Sequence, residues 1–200
     1  MTTSPVRHGG GESRKERPGK AAIMRAAVEV MGEDGYEGAS MRDMAARAGV
    51  SVAALYYHFP SKLDLLREFL DEAYEVTISR IGRRLQAVPD DPGAKLDEVV
   101  GTLIWSHLHD EFAQLASNVA FREYTRLNPP ERAAIEVRRK ELLDLVEEIV
   151  HGLGAAEPRE AARAIITLST SLVEPFGEMG RTMDQVIELY QGFARALARG

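Results

Sequence analysis

The chain has 200 residues, 44% hydrophobic and 28% charged, the make-up of a folded protein rather than a disordered one. It holds no cysteine, which removes disulfides, thiolate catalysis and cysteine-ligated zinc, and no apolar run approaches the ~20 residues needed to cross a bilayer. The N-terminus has no apolar secretory core, so a cytoplasmic protein without a membrane partner is expected. Its net charge of −6 is unevenly spread. Residues 1–62 carry nine Lys/Arg against seven Asp/Glu, or +2, and the rest carries 16 against 24, or −8, a basic end on an acidic body.

Residues 1–19 are rich in Gly, Ser, Pro and charge and read as a flexible basic arm. From Lys20 to Tyr36, Ile23, Ala27, Val30 and Met31 recur at helical spacing, with Gly35 just past the expected end. "SMRD" at 40–43 is a capping box in which Ser40 accepts from backbone N–H groups and Asp43 reaches back. It opens a short helix that Gly49 ends in "AGVS". Ser51 caps a second short helix, and Ser61–Asp64 boxes a long one expected to reach about Val88. After "PDDPG", a helix from Asp91–Pro92 should break near His109–Asp110. "NPPE" at 128–131 caps another that ends at "GLG" (152–154). A further helix spans "EPREAARAIITLSTSLVEPFGEMG", with a kink at Pro175, and "TMDQ" at 182–185 boxes the last, ending near Arg199. No stretch alternates with period two long enough for a strand, so the fold class is all-α.

The two short helices carry the chemistry. At about 100° per residue, with Leu55 at 0°, Phe59 falls near 40° and Val52 near 60°, a face for the core. Ala53, Ala54 and Tyr57 fall opposite, with Tyr56 and His58 at the flanks. Met44, Ala45 and Ala48 of the preceding helix join the same small core, and Val50 plugs the corner. This is a helix-turn-helix, whose second helix enters the DNA major groove. Tyrosine hydroxyls, His58 and the Lys62 ammonium are donors suited to the flanking phosphates.

The stretch "GYEGASMRDMAARAGVSVAALYYHFPSKLDLL" (35–66) resembles the DNA-binding signature of the tetracycline-repressor (TetR) family of bacterial transcription regulators. The likeness rests on Gly35–Tyr36, the Ser40 cap, Ala45, the "AGVS" turn, "LYYHF", and Lys62 followed by two leucines. It implies a helix-turn-helix domain over 20–62 and a larger helical ligand-binding and dimerisation domain over 63–200. By position it implies that Arg42 reaches a base edge, its fork matching guanine. Ser51 opens the reading helix, and Val52, Ala53 and Ala54 face bases with methyl groups alone, so thymine methyls and DNA shape carry part of the specificity. Tyr56, Tyr57, His58, Lys62 and, more weakly, Ser40 match phosphate-contacting positions. Arg14, Lys15, Arg17 and Lys20 of the arm suit phosphate by charge alone.

In the larger part, Ile165, Ile166, Ser169, Leu172, Val173 and Phe176, then Val186, Tyr190, Phe193 and Leu197, form broad apolar stripes. The resemblance implies that these two C-terminal helices build a four-helix bundle in a homodimer, whose paired reading helices meet a palindromic operator in double-stranded DNA. Candidate ligand residues are Trp105, His109 and Phe112, which share a face at i, i+4 and i+7, together with Phe121, Tyr124, Ser169 and Glu174. "FREYTRLNPPERAAIEVRRKELLDLVEEIV" resembles acyl-coenzyme A-responsive members of the family, and an amphipathic drug-like effector is the rival. His107 and His109 at i, i+2 point to different faces, so no metal site and no cofactor is expected. There is no G-x-S-x-G, H-E-x-x-H or phosphate loop, hence no catalytic residue and no enzyme. The function expected is a repressor released from its operator by a small-molecule effector. The alternative is a helical scaffold that has lost DNA binding.

Overall fold

A computed structural model of the chain describes residues 18–115, 119, 128–171 and 180–199. Eight helices and no strand lie among them: α1 (Lys20–Gly38), α2 (Met41–Arg47), α3 (Val52–His58), α4 (Lys62–Leu85), α5 (Pro92–His109), α6 (Pro129–Gly152), α7 (Pro158–Thr170) and α8 (Met183–Leu197). A helical turn at 111–115 follows α5. Among the described residues no helix is long and apolar enough to cross a membrane.

The helix starts are built as the capping residues dictate. Ser40, Ser51, Ser61 and Asp91 each accept from the backbone N–H three residues on, a bond worth about 1 kcal/mol per cap. Thr182 and Gln185 form a complete reciprocal box. In the two Ser–Asp boxes the carboxylates of Asp43 and Asp64 instead accept a hydrogen bond from the serine hydroxyl. Aspartate is one methylene shorter than the glutamate of a full box and stops at the hydroxyl.

Gly49, at φ 67°, ends α2. Val50 N–H donates to the Ala45 carbonyl at 3.0 Å and Gly49 N–H to that of Ala46 at 3.1 Å, a Schellman turn that throws the chain into α3. Gly35, expected just past the end of the first helix, leaves helical geometry at φ 77° and ψ 163°, and a further short helical segment carries α1 on to Gly38. α4 stops at Leu85 rather than Val88. The last three residues tighten into a turn in which Ala87 and Val88 donate three residues back. α7 ends at Thr170, and the continuation expected through Pro175 lies outside the described residues.

Two hydrophobic cores share α4. The first gathers Ile23, Ala27, Val28 and Met31 of α1, Met44 and Ala45 of α2, Leu55 and Phe59 around α3, and Leu65 to Ala73 of α4. The second gathers Ile81 of α4 with α5, α6, α7 and α8. The boundary expected after Lys62 therefore falls at the start of a helix that both cores use.

The break after α5 is fastened to α4. Asp110 accepts from the N–H groups of Phe112 and Ala113 and pairs with Arg80 at 2.9 Å. Burial opposes its charge, but these bonds outweigh it and hold the Asp110 carboxyl below the usual carboxylate range.

Candidate nucleic-acid interface

A seven-residue helix cannot stand alone, so α3 depends on what it buries. Leu55 and Phe59 are its anchors, 0% and 1% exposed. Of the rest, Ala53 is exposed, Ala54 half-buried, Tyr56 48% and Tyr57 85% exposed. Val52, expected on the buried face, is 38% exposed. It sits in the first of only two turns, where its side chain leans beyond the core that Leu55 and Phe59 reach. His58 is half-buried, with its ring edge-on to Tyr57 at 5.3 Å. A phenol as exposed as Tyr57, held edge-on by an imidazole, offers a hydroxyl to solvent at low entropic cost.

The cations divide into bound and unbound. Arg47 grips Glu33 through both nitrogens, at 3.0 and 2.6 Å, and lies 3.7 Å from Glu29, which ties α2 to α1. The hydrogen bond to Arg47 lowers the Glu33 carboxyl and raises the guanidinium in turn. Lys20 pairs with Glu68. Arg42 is exposed and makes no ion pair among the described residues. Ser40 and Ser51 are exposed, their oxygens engaged as caps. Lys62 is turned inward. Its ammonium donates to the carbonyls of Tyr36 and Ala39 and stands 4.4 Å over the Tyr36 ring. Spacing gave no sign of this, because the partners lie 23 and 26 residues away.

Of the described candidate ligand residues, Trp105 and His109 come together, while Phe112 and Ser169 lie apart from them. Trp105 and His109 stack at 5.0 Å with planes 13° apart, and the Arg80 guanidinium lies 5.4 Å from the indole. Phe112 leaves their face because the helix breaks at Asp110; it packs edge-on to Phe69 at 4.6 Å in the first core. Ser169 is buried and donates to the Ile165 carbonyl of its own helix. Phe121, Tyr124 and Glu174 lie outside the described residues, as do the arm residues Arg14, Lys15 and Arg17. A cleft of about 220 Å³ does lie between α1 and the 111–115 turn, lined by Arg25, Glu29, Glu111, Phe112, Gln114 and Leu115. It is smaller than the usual organic-ligand pocket of about 300–1,000 Å³. Among the described residues no cluster is fit to hold a metal ion.

Residues 23–69, from the first core residue of α1 through Phe69, match the family model described as bacterial regulatory proteins, tetR family. Over this N-terminal stretch the chain is similar to the TetR family. TetR-family chains are helix-turn-helix transcription regulators, and α2–α3 is the helix pair that the match spans. A relative in Mycolicibacterium smegmatis (strain ATCC 700084 / mc(2)155), the HTH-type transcriptional activator FasR, is 28% identical over 182 residues, 90% of this chain and 80% of its own. A bacterial regulatory protein in the tetR family from Rhodococcus RHA1 has the same fold, with a TM-score of 0.76 at 22% identity over 90% of this chain and 96% of that one. AibR, solved in complex with isovaleryl coenzyme A and operator DNA, reaches 0.71 at 23% identity over 90% and 98%. The all-α TetR fold thus extends through both cores.

Proposed function

We propose that this chain is a dimeric repressor that binds a palindromic operator through α3 of each copy and is released by a small-molecule effector. The observation that carries the reading is the outer face of α3, left bare of the chain's own body while Leu55 and Phe59 are fully sunk. A scaffold without DNA binding gives no reason for that face to carry two exposed tyrosines beside an uncommitted Arg42.

In this reading Val52, Ala53 and Ala54 lie on the groove floor, offering methyl groups to thymine and letting the backbone approach closely. Arg42 presents its fork to a base edge, and Tyr56, Tyr57, His58, Ser40 and Ser51 contact the phosphates on either side. The exposed Phe193 and Leu197 of α8 and Leu168 of α7 form the two-fold interface. It sets the two α3 helices about 34–36 Å apart, one turn of duplex.

The effector acts in the second core. AibR holds an acyl-coenzyme A, and an acyl-coenzyme A or lipid-like ligand is the class proposed here, with an amphipathic drug-like compound as the rival. The Trp105–His109 stack, exposed on α5 beside that core, offers the ligand an aromatic face. Because α4 belongs to both cores and Arg80 binds it to the break at Asp110, a ligand that moves α5 tilts α4 and carries α3 with it. Release requires the ligand to bind the tilted state more tightly than the operator-bound one.

Titration of a selected palindromic duplex tests the reading. Log K falls with log salt by ~0.9 per phosphate neutralised. Arg42→Ala costs about 1–3 kcal/mol and relaxes preference at one base pair per half-site, whereas Tyr57→Ala weakens all sequences alike. A flat salt dependence, or no preference over random duplex, contradicts the reading. FasR is named an activator, so a promoter reporter fixes the sign. A repressor lowers its output, and effector restores it.

A further inference from the structure

We infer that Lys62 is a positioning residue of the DNA-reading module: by holding the end of α1 it sets the angle at which α3 meets the duplex. The inference rests on the DNA-binding reading above. Its ammonium donates to the Ala39 carbonyl at 3.1 Å and to the Tyr36 carbonyl, and stands 4.4 Å over the Tyr36 ring.

The partners are those a cation should seek. The last turn of a helix leaves carbonyls without intrahelical donors, and the helix dipole favours positive charge there. Gly35 leaves helical geometry just before this point, so the carbonyls in question belong to the short segment from Tyr36 that ends at the C-cap Ala39. The Tyr36 ring is 7% exposed, so the ammonium rests on a buried aromatic face, where a cation–π contact is stronger than in open water. Within its own helix Lys62 gains nothing, because a cation in the first turn of α4 slightly opposes the dipole. The charge therefore serves α1 rather than α4.

The geometric consequence falls on α3. The tie joins residues 36–39 to residue 62 and encloses α2 and α3 between them. α3 reaches the core through Leu55 and Phe59 alone, which leaves its roll about that line weakly fixed by packing. Two ties close the frame: Arg47 to Glu33 holds α2 on α1, and Lys62 holds the start of α4 on the end of α1. A lysine whose only task was a phosphate would stand in solvent until DNA arrived. This one is engaged in the free protein, with two of its three protons committed.

The test is salt-dependent titration of the folded dimer, wild type and Lys62→Met, against a palindromic duplex selected by the wild-type protein, with amide exchange of residues 36–41 followed in the DNA-free state. A positioning role predicts affinity about tenfold lower at every salt concentration, an unchanged slope of log K against log salt, and faster exchange at 36–41. A slope shallower by ~0.9 with unchanged exchange makes Lys62 a phosphate contact and overturns the inference. Unchanged affinity overturns it too. Failure of the wild type to select any duplex removes the DNA reading itself, and this inference with it. If Lys62→Met does not fold, the wild-type, DNA-free protein decides. Ammonium protons exchanging more slowly at Lys62 than at exposed Lys140 uphold the tie, and equal rates overturn it.

Discussion

Phe193→Glu combined with Leu197→Glu is expected to give a folded monomer whose operator affinity is lower by a factor of about 10²–10⁴, the avidity lost when two linked sites become one. α8 has two faces. Ala194 and Ala198 are buried in the second core, and Gln191 and Arg195 reach across to Asp97 of α5, so this side is bound to its own chain. Around the helix, Phe193 is 47% and Leu197 38% exposed, with Tyr190 edge-on to Phe193 at 5.8 Å. Gly192, on the same outward side, has open space where a Cβ would stand. Large apolar groups beside an unfilled glycine suit close approach by a second helix. Carboxylates at 193 and 197 leave the α5-facing side intact while introducing like charges that cannot be buried across a two-fold axis. Sedimentation and duplex titration of the same preparation check both halves of the expectation. A persistent dimer places the interface elsewhere.

Phe59→Ala is expected to destabilise the N-terminal module by about 3–5 kcal/mol, the range for truncating a large buried aromatic. Phe59 is 1% exposed and caps the end of α3, and with Leu55 it supplies the buried contacts of that helix. Lys20 lies over its ring at 5.1 Å, so the truncation also removes a contact of α1. Val52→Ala serves as the comparison. Its side chain is 38% exposed, and a surface change of that kind stays within about 0.5 kcal/mol. Denaturant melts of the two variants measure the difference. A loss below 1 kcal/mol at Phe59 means that α3 is held by something other than this core.

Much of the frame was legible because its signals are local. Ser40, Ser51, Ser61, Asp91 and Thr182 each act on an amide three residues away, and Gly49 marks its turn by a backbone that few other residues adopt. Leu55 and Phe59 followed from helical period alone. The failures share a different cause. Val52 lies on the predicted angle but in a first turn that overhangs the core, so angle without axial position misplaced it. Phe112 follows Trp105 by seven residues on a continuous helix, yet Asp110 breaks that helix between them. The ties of Lys62 to α1, Arg47 to Glu33 and Gln191 to Asp97 span 14 to 94 residues, and no pattern along the chain encodes such pairings. The effector site was the least legible part, since aromatic spacing marks equally a cavity wall, a packed core residue such as Phe112 and a surface stack such as Trp105–His109.

The absence of cysteine from the chain allows a direct trial of α3 as the groove-reading element. Ala53→Cys, on the exposed face of α3, is to be equilibrated with selected palindromic duplexes that carry a thiol tethered to one major-groove base at successive positions. The account predicts disulfide formation at one or two adjacent positions in each half-site, related by the dyad and about one helical turn apart. Val137→Cys, exposed on α6, should give none. Cross-linking that is equal at every position, or absent at Ala53→Cys in a protein still bound to the duplex, would contradict it.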